Sequence, residues 1–522
     1  MGLNKKCLFV SPLILSSLLV GCNIFDDDDD EPKKVTPVSI ASVTTLDFSS
    51  FNANEAALEA SGLRVFGPDM TTGGDATLAA DLEPEYVTVS ADGSMAWVSL
   101  QENNGIAKVD LVNKTITDIY GLGFKDHGVA GNELDASDED DDAVVLRTFA
   151  NLKGMYQPDG IASFEEDGVT YIVSANEGDG REYDGFEEES RVEDLTLDAT
   201  AFPDAATLQD ETQLGRLKVT MNLDTATASS NFSELHTYGA RSFSIWNGDS
   251  GELVYDSGAD LAIQTNSAGL YPDGRSDAKG TEPENVAIGM VGEKRLAFIG
   301  LERANAVAIY DLTDMDNIEF LQLVSDAEDI GPEGILFISA ADSATARALL
   351  VVSNEVSGSI TVYEANASGS FSQLSRLVLD GGEGAAEISA YDRLNQQLFV
   401  VNNGEDLDDP RVDVIDFSEP ATLSAPVSSI DISAYGGGVN SVAVSNGVLA
   451  TAIEGTAKTD DGVVAIFDAK TFEFLDKVTV GALPDMVTFT PDGKTIITAD
   501  EGEPNSDYSV DPMGSVSIVT LN

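Results

Sequence analysis

Seven times along this chain a carboxylate or side-chain amide stands just ahead of a short apolar run. In each unit a second such residue stands just behind the next run. The residues ahead are Glu85, Asp159, Glu284, Glu333, Glu387, Asn440 and Asp485, and those behind are Glu102, Glu177, Glu302, Glu355, Asn403, Glu454 and Glu501. Carboxylates with a few amide carbonyls are hard oxygen donors suited to Ca²⁺. If they gather in one place, mutual repulsion must raise their pKa values, draw in Arg or Lys, or hold a cation. Held around one metal, such a set could also hydrolyse an ester, the metal polarising the substrate and one carboxylate activating water. A plainer use is open as well: an acid at a strand entrance can cap free backbone N–H groups. The twelve acids are therefore candidate metal ligands, and no catalytic residue is singled out.

Other chemistries are excluded by what the chain lacks. It has only two histidines, His127 and His236, too few for a histidine-rich copper or zinc site. No Cys-x-x-Cys-His holds a haem, and no Gly-x-Ser-x-Gly elbow offers a nucleophile. Gly436-Gly437-Gly438 precedes a strand and lacks the lysine of a nucleotide-binding loop. His127, beside Asp126, reads as a loop hydrogen-bonder. The acidic stretches Asn176–Gly180 and Asp500–Asp507 do not match the spacing of an EF-hand.

The elements that must position these residues are strands. The first unit runs Glu83-Pro84-Glu85, Tyr86–Val89, the turn Ala91-Asp92-Gly93, Ala96–Ser99 and Gln101-Glu102. The phrase returns at Gln157-Pro158-Asp159, Glu282-Pro283-Glu284, Gly331-Pro332-Glu333, Ala386-Glu387, Val439-Asn440 and Leu483-Pro484-Asp485. Strand units recurring at roughly 40–50 residues indicate a propeller or a solenoid. Third strands end in apolar-Asp or apolar-Tyr pairs, as in Ile106–Asp110, Ala306–Asp311, Ser359–Tyr363 and Val463–Asp468. The expected fold is all-β, a seven-bladed β-propeller over 38–522. The last unit is a strand short, so Val38–Phe48 is expected to complete it and close the ring by pairing the N- and C-terminal strands. In a blade the residue before the first strand and the residue after the second share a face, which predicts two acidic rings around one axis. Two insertions, near 124–155 and 179–242, break the period and carry Asp138–Asp142, Arg181, Arg191, Arg216 and Arg241.

The N-terminus and the charge set the compartment. Lys5 and Lys6 precede an apolar stretch, Leu8–Val20, and then Gly21 and Cys22. Leu19-Val20-Gly21-Cys22 resembles a bacterial lipobox, which predicts a signal peptide over 1–21 and lipidation of Cys22. Cleavage would remove Cys7 and leave no pair of cysteines for a disulfide. Asp26–Asp30 belongs to an acidic tether over 22–37 that cannot pack. Acids outnumber bases 91 to 28, a net charge of −63, so the general field repels nucleic acid and attracts cations.

Several longer phrases bear a resemblance to a known family. They are Gly123–His127, Leu134–Asp138, Asn176–Asp179, Arg191–Leu195, Gly239–Trp246 and Phe298–Arg303. Through them most of 38–522 resembles the choice-of-anchor I family, itself similar to the mesenchyme-specific cell-surface glycoproteins linked to biomineralisation. The resemblance implies a secreted, surface-anchored β-propeller, with Cys22 as this member's anchor, and some members carry an alkaline-phosphatase label. In that family a segment like Glu501–Asn505 leads into one like Leu63–Pro68. Here the two lie at opposite ends, so the chain is expected to be circularly permuted.

The expected function is a divalent-cation-dependent binding or scaffold module, anchored by lipid to the bacterial envelope at the outer membrane or cell surface. Its cofactor would be Ca²⁺, and its partner an unknown protein, glycan or mineral. The alternatives are a Ca²⁺-dependent phosphoesterase or lactonase on the same carboxylates and a purely structural surface protein.

Overall fold

The computed structural model describes residues 38–70, 72–140, 144–222, 231–404 and 409–522. The signal peptide, Cys22, the tether with Asp26–Asp30, and Asp141 and Asp142 of the inserted acidic run lie outside the described residues.

Among the described residues are seven four-stranded sheets with antiparallel pairing throughout. Their first strands begin with Val87–Val89, Ile161–Glu166, Pro283–Val291, Pro332–Ile338, Ser389–Asp392, Val439–Ser445 and Pro484–Phe489. Six of the sheets run outward in sequence order, though Val169–Asn176 and Ser242–Asn247 of the second are split by an insertion. The fourth strand of the seventh sheet is Ile40–Leu46, paired with Ser515–Leu521 so that Leu46 faces Val516.

Burial grades across each sheet, and the sequence pattern follows it. Second strands such as Leu349–Asn354 and Val448–Ile453 are buried along their whole length. They read as mostly apolar runs, Leu349–Val352 and Val448–Ala450 among them, because a neighbouring sheet covers each face. Fourth strands such as Thr115–Gly121 alternate and face solvent.

The core lies between sheets. Val98 and Ile497 join the first to the seventh. Trp97, Ile172 and Trp246 join the first to the second, and Ile245 with Ile299 joins the second to the third. Similar clusters join third to fourth, fourth to fifth, fifth to sixth and sixth to seventh. The architecture is all-β and propeller-like.

The two insertions are not independent loops. Phe124–Asp126, Leu152–Met155, Glu189–Arg191, Lys218–Thr220 and Leu235–Thr237 form one five-stranded sheet, in which the strands at 152 and 235 run parallel. It has its own core of Leu152, Val192, Phe202, Leu217 and Val219. The chain leaves the second sheet at Gly178 and returns at Gly239, both at positive φ. A Cβ on Gly239 would sit 1.9 Å from the carbonyl oxygen of Glu177, so only glycine fits this crossing. No helix among the described residues is long and apolar enough to cross a membrane.

Candidate functional site

The acids reach one face through a repeated backbone device. At four sheets the residue before the proline is left-handed: Gln157 (φ 44°), Glu282 (φ 51°), Gly331 (φ 69°) and Leu483 (φ 46°). In the third, fourth, sixth and seventh sheets the chain enters its first strand through a β-bulge. In the fourth sheet Pro332 faces Asn354 and Gly334 faces Ser353, so Glu333 is the extra residue. Asn440 and Asp485 are the extra residues of the sixth and seventh sheets, and Glu284 lies within the shift of the third. A bulge re-aims one side chain without moving the strand, and here it turns the polar residue off the packed faces.

The second acid is pinned beside the first. The Glu302 N–H donates to the Glu282 carbonyl at 2.9 Å, that of Glu355 to Gly331 at 2.8 Å and that of Glu501 to Leu483 at 2.8 Å. Each bond joins the end of a second strand to the approach of its own first strand, which sets Glu284 near Glu302, Glu333 near Glu355 and Asp485 near Glu501.

The result is a cavity of about 710 Å³. Of the residues expected from the repeat, Glu85, Glu102, Glu333, Glu387, Asn403, Asn440, Glu454, Asp485 and Glu501 line it. Asp159, Glu177 and Glu284 converge as a triad, and Glu302 joins Glu177 in another. Glu355 hydrogen-bonds Glu333. The insertion overhangs the same cavity with Asp179, Arg181, Glu182, Tyr183, Glu189 and Lys218.

Strand capping accounts for two positions. Gly438 N–H donates to Glu454 Oε1 at 3.1 Å, and Val439 N–H to Asn403 Oδ1 at 3.0 Å. Asn403 Nδ2 also holds Glu387. It does not account for Glu85, Glu102 and Glu284, each of which keeps a buried Oε2 with no hydrogen-bond partner.

Burial dominates the electrostatics. It pushes Glu102 up to about 7, against the pull of Arg181, and Glu177 up to about 7, against Lys279. Asp485 rises to about 7 and Glu387 to about 8 from the same cause. Glu85, Asp159, Glu284, Glu333 and Glu501 are raised well above the usual carboxylate range, by burial first and by neighbouring carboxylates next. The set can take up cations, exchange protons near neutrality, or both.

The repeat did not single out the residues that break its symmetry. Glu83 and Glu282 are further acids of the triads, and each stands two residues ahead of a ring acid, across a proline. Lys279, Arg275 and Lys458 line the cavity as counter-charges. No periodic signal marks them, because each occurs at one sheet only. Arg181 is fully buried and pairs with Asp81 Oδ1 at 2.6 Å and Glu83 Oε2 at 2.8 Å. His127 is a loop hydrogen-bonder: its Nδ1 lies 2.8 Å from the Asn132 carbonyl oxygen.

Comparison with known proteins adds a family. The choice-of-anchor I domain matches residues 27–315 and 387–522. A mesenchyme-specific cell surface glycoprotein of Strongylocentrotus purpuratus is 29% identical over 321 residues, 52% of this chain and 40% of that protein. Gigasin-3a of Magallana gigas is 25% identical over 190 residues, 30% of this chain and 66% of that protein. The chain thus spans under two thirds of either relative. Among solved structures, the WD40 repeats of RRP9 align at TM-score 0.46 and 10% identity, covering 92% of this chain and all of that one. Hydrazine synthase of Kuenenia stuttgartiensis aligns at TM-score 0.47 and 14% identity, over 84% of this chain and 96% of that one.

Proposed function

The chain belongs to the choice-of-anchor I family, and from that premise we propose that it is a surface-anchored, extracytoplasmic binding or scaffold module whose acidic cavity requires a divalent cation. Its seven sheets are the blades of a propeller closed by the pairing of Ile40–Leu46 with Ser515–Leu521. Cys22 is its lipid anchor to the bacterial envelope, and the ring carboxylates hold Ca²⁺.

One observation carries the reading: Glu85 and Glu102 line the cavity with buried Oε2 atoms that have no hydrogen-bond partner, and Glu284, in the adjoining triad, has a third. Leaving a buried acceptor unsatisfied costs about 1–3 kcal/mol, and more when it is charged. A hard cation removes that cost. The test is metal content by mass spectrometry on protein beginning at Asn23, with thermal melts in chelator and in added Ca²⁺. Stoichiometric calcium and a raised melt support cation dependence. No bound metal, with equal shifts from Na⁺, Mg²⁺ and Ca²⁺, would overturn it and favour a structural role.

A second reading, a Ca²⁺-dependent hydrolase, draws on Glu102, Glu177 and Asp485, whose carboxyls titrate at about 7 and so suit proton transfer at neutral pH. Turnover of phosphate-ester or lactone substrates that requires Ca²⁺ and is lost in Glu85→Gln or Glu284→Gln would favour it. A graded loss of ligand affinity across several ring variants would favour the binding module.

A further inference from the structure

We infer that the ion sits at one place in the cavity, between Glu83, Glu102 and Glu501, where the first and seventh sheets meet. The inference rests on the cation-dependent reading above and assigns that ion its ligands. Three triads of carboxylates among the described residues bring ligand oxygens within 4.8 Å of one another. They differ in what the protein itself supplies as counter-charge.

The triad of Glu177, Glu282 and Glu302 already holds cations. Lys279 Nζ lies 2.6 Å from Glu177 Oε1 and 3.9 Å from Glu282 Oε2. Arg275 reaches Glu282 at 2.7 Å, and Arg303 reaches both Glu282 and Glu302. The triad of Asp159, Glu177 and Glu284 borrows the same Lys279 through Glu177, whose other oxygen accepts from Gln101 Nε2 at 2.8 Å. Its remaining two acids hydrogen-bond each other.

At Glu83, Glu102 and Glu501 the protein supplies less. The nearby cations are Arg181, whose donors go to the Asp81 carboxylate, the Asp81 carbonyl, the Tyr508 hydroxyl and Glu83 itself, and Lys458, which pairs with Glu503 at 3.0 Å. Glu102 is 8% exposed, and its Oε2 has no partner. Glu85, which faces both Glu102 and Glu501, also has a bare buried Oε2. Among the described residues neither Glu102 nor Glu501 has an ion-pair partner, and Glu102 brings to the cluster a nine-tenths-buried oxygen with no hydrogen bond. Carboxylate oxygens that all lie within 4.8 Å of one another can share one Ca²⁺, whose oxygen bonds run about 2.3–2.6 Å in a flexible shell, whereas Mg²⁺ demands a near-ideal octahedron and keeps several of its waters.

The test is calorimetric titration of CaCl₂ into the chelator-treated chain, using wild type, Glu102→Gln, Glu501→Gln and the double variant Asp159→Asn/Glu284→Gln. Circular dichroism checks the fold of each. We expect about one tight Ca²⁺ per chain and a loss of about tenfold or more in affinity for each single variant, larger than the loss in the double variant. MgCl₂ should compete at least about tenfold more weakly. If the double variant loses the ion and Glu102→Gln and Glu501→Gln keep it, the assignment is wrong and the cation-dependent reading stands. If wild type binds no Ca²⁺, both fail. Equal affinity for Mg²⁺ and Ca²⁺ would overturn the assignment to Ca²⁺.

Discussion

Lys279 Nζ lies 2.6 Å from Glu177 Oε1, and the lysine lines the acidic cavity. The lysine side chain is 16% exposed and that of the glutamate 10%, so the pair is only weakly screened. The protein thus carries its own cation on one side of the cavity.

Lys279→Gln should therefore destabilise the fold by about 3 kcal/mol, because it leaves a buried carboxylate without its partner. Urea denaturation measures the loss. The same variant should gain a second Ca²⁺ per chain by calorimetry, since Glu177, freed of its lysine, remains within reach of one ion shared with Asp159 and Glu284. A variant with unchanged stability and unchanged stoichiometry would show that Lys279 is not the internal counter-ion.

The acids also set a pH dependence. Burial raises Glu102, Glu177 and Asp485 to about 7 and Glu387 to about 8. The folded chain then binds more protons than the unfolded chain between the ordinary carboxylate range and those values. Their contribution is fully present below about pH 4, and stability falls as pH rises. The Tm of metal-free protein should fall from about pH 5 to about pH 8, and saturating Ca²⁺ should flatten that slope by replacing the protons. A melt that rises over this interval without metal would contradict the burial of the ring.

Arg181 holds the inserted hairpin against the cavity. Its guanidinium reaches Asp81 and Glu83, while Glu188, at the end of the same turn, pairs with buried Arg64. Tyr183 and Phe186 between them pack on Tyr508. Arg181→Met should cost about 3 kcal/mol or more and expose Glu182–Glu187 to proteolysis well before the sheets. Equal protease resistance of the two proteins would place the docking energy in the aromatic contacts instead.

Removing residues 38–47 would strip Ile40–Leu46 from the seventh sheet and leave Ser515–Leu521 as an open edge. Such an edge pairs with other chains. The truncated protein should elute as oligomers in size-exclusion chromatography and melt below the full chain. A monomeric truncation with an unchanged Tm would argue against a structural role for the terminal pairing.

Much of this was legible in the residues, for a physical reason. A repeat that buries both faces of its second strand must write that strand as a mostly apolar run, so Leu349–Val352 and Val448–Ala450 announce themselves. Flanking polar residues that recur at the same offset then share a face. The bulges at Glu333, Asn440 and Asp485 were not legible, because an extra residue in one strand leaves no mark on its composition. Nor was the joining of the two insertions. Leu235–Thr237 pairs in parallel with Leu152–Met155, and no local pattern specifies a partner so far along the chain. Lys279 and Arg181 escaped for the opposite reason: each is a single departure from the repeat.

The pairing of Ile40–Leu46 with Ser515–Leu521 has a consequence for how the molecule is made. Thr45 and Ser517, hydrogen-bonded through their hydroxyls, are separated by 472 positions. A chain emerging from the ribosome presents the strand at 40 long before its partner at 515. That strand must wait, unpaired, while six other sheets form. The contact that joins them closes nearly the longest loop the chain contains, which is slow to form though not much dearer than a shorter closure. The seventh sheet is thus completed only after the other six have been synthesised.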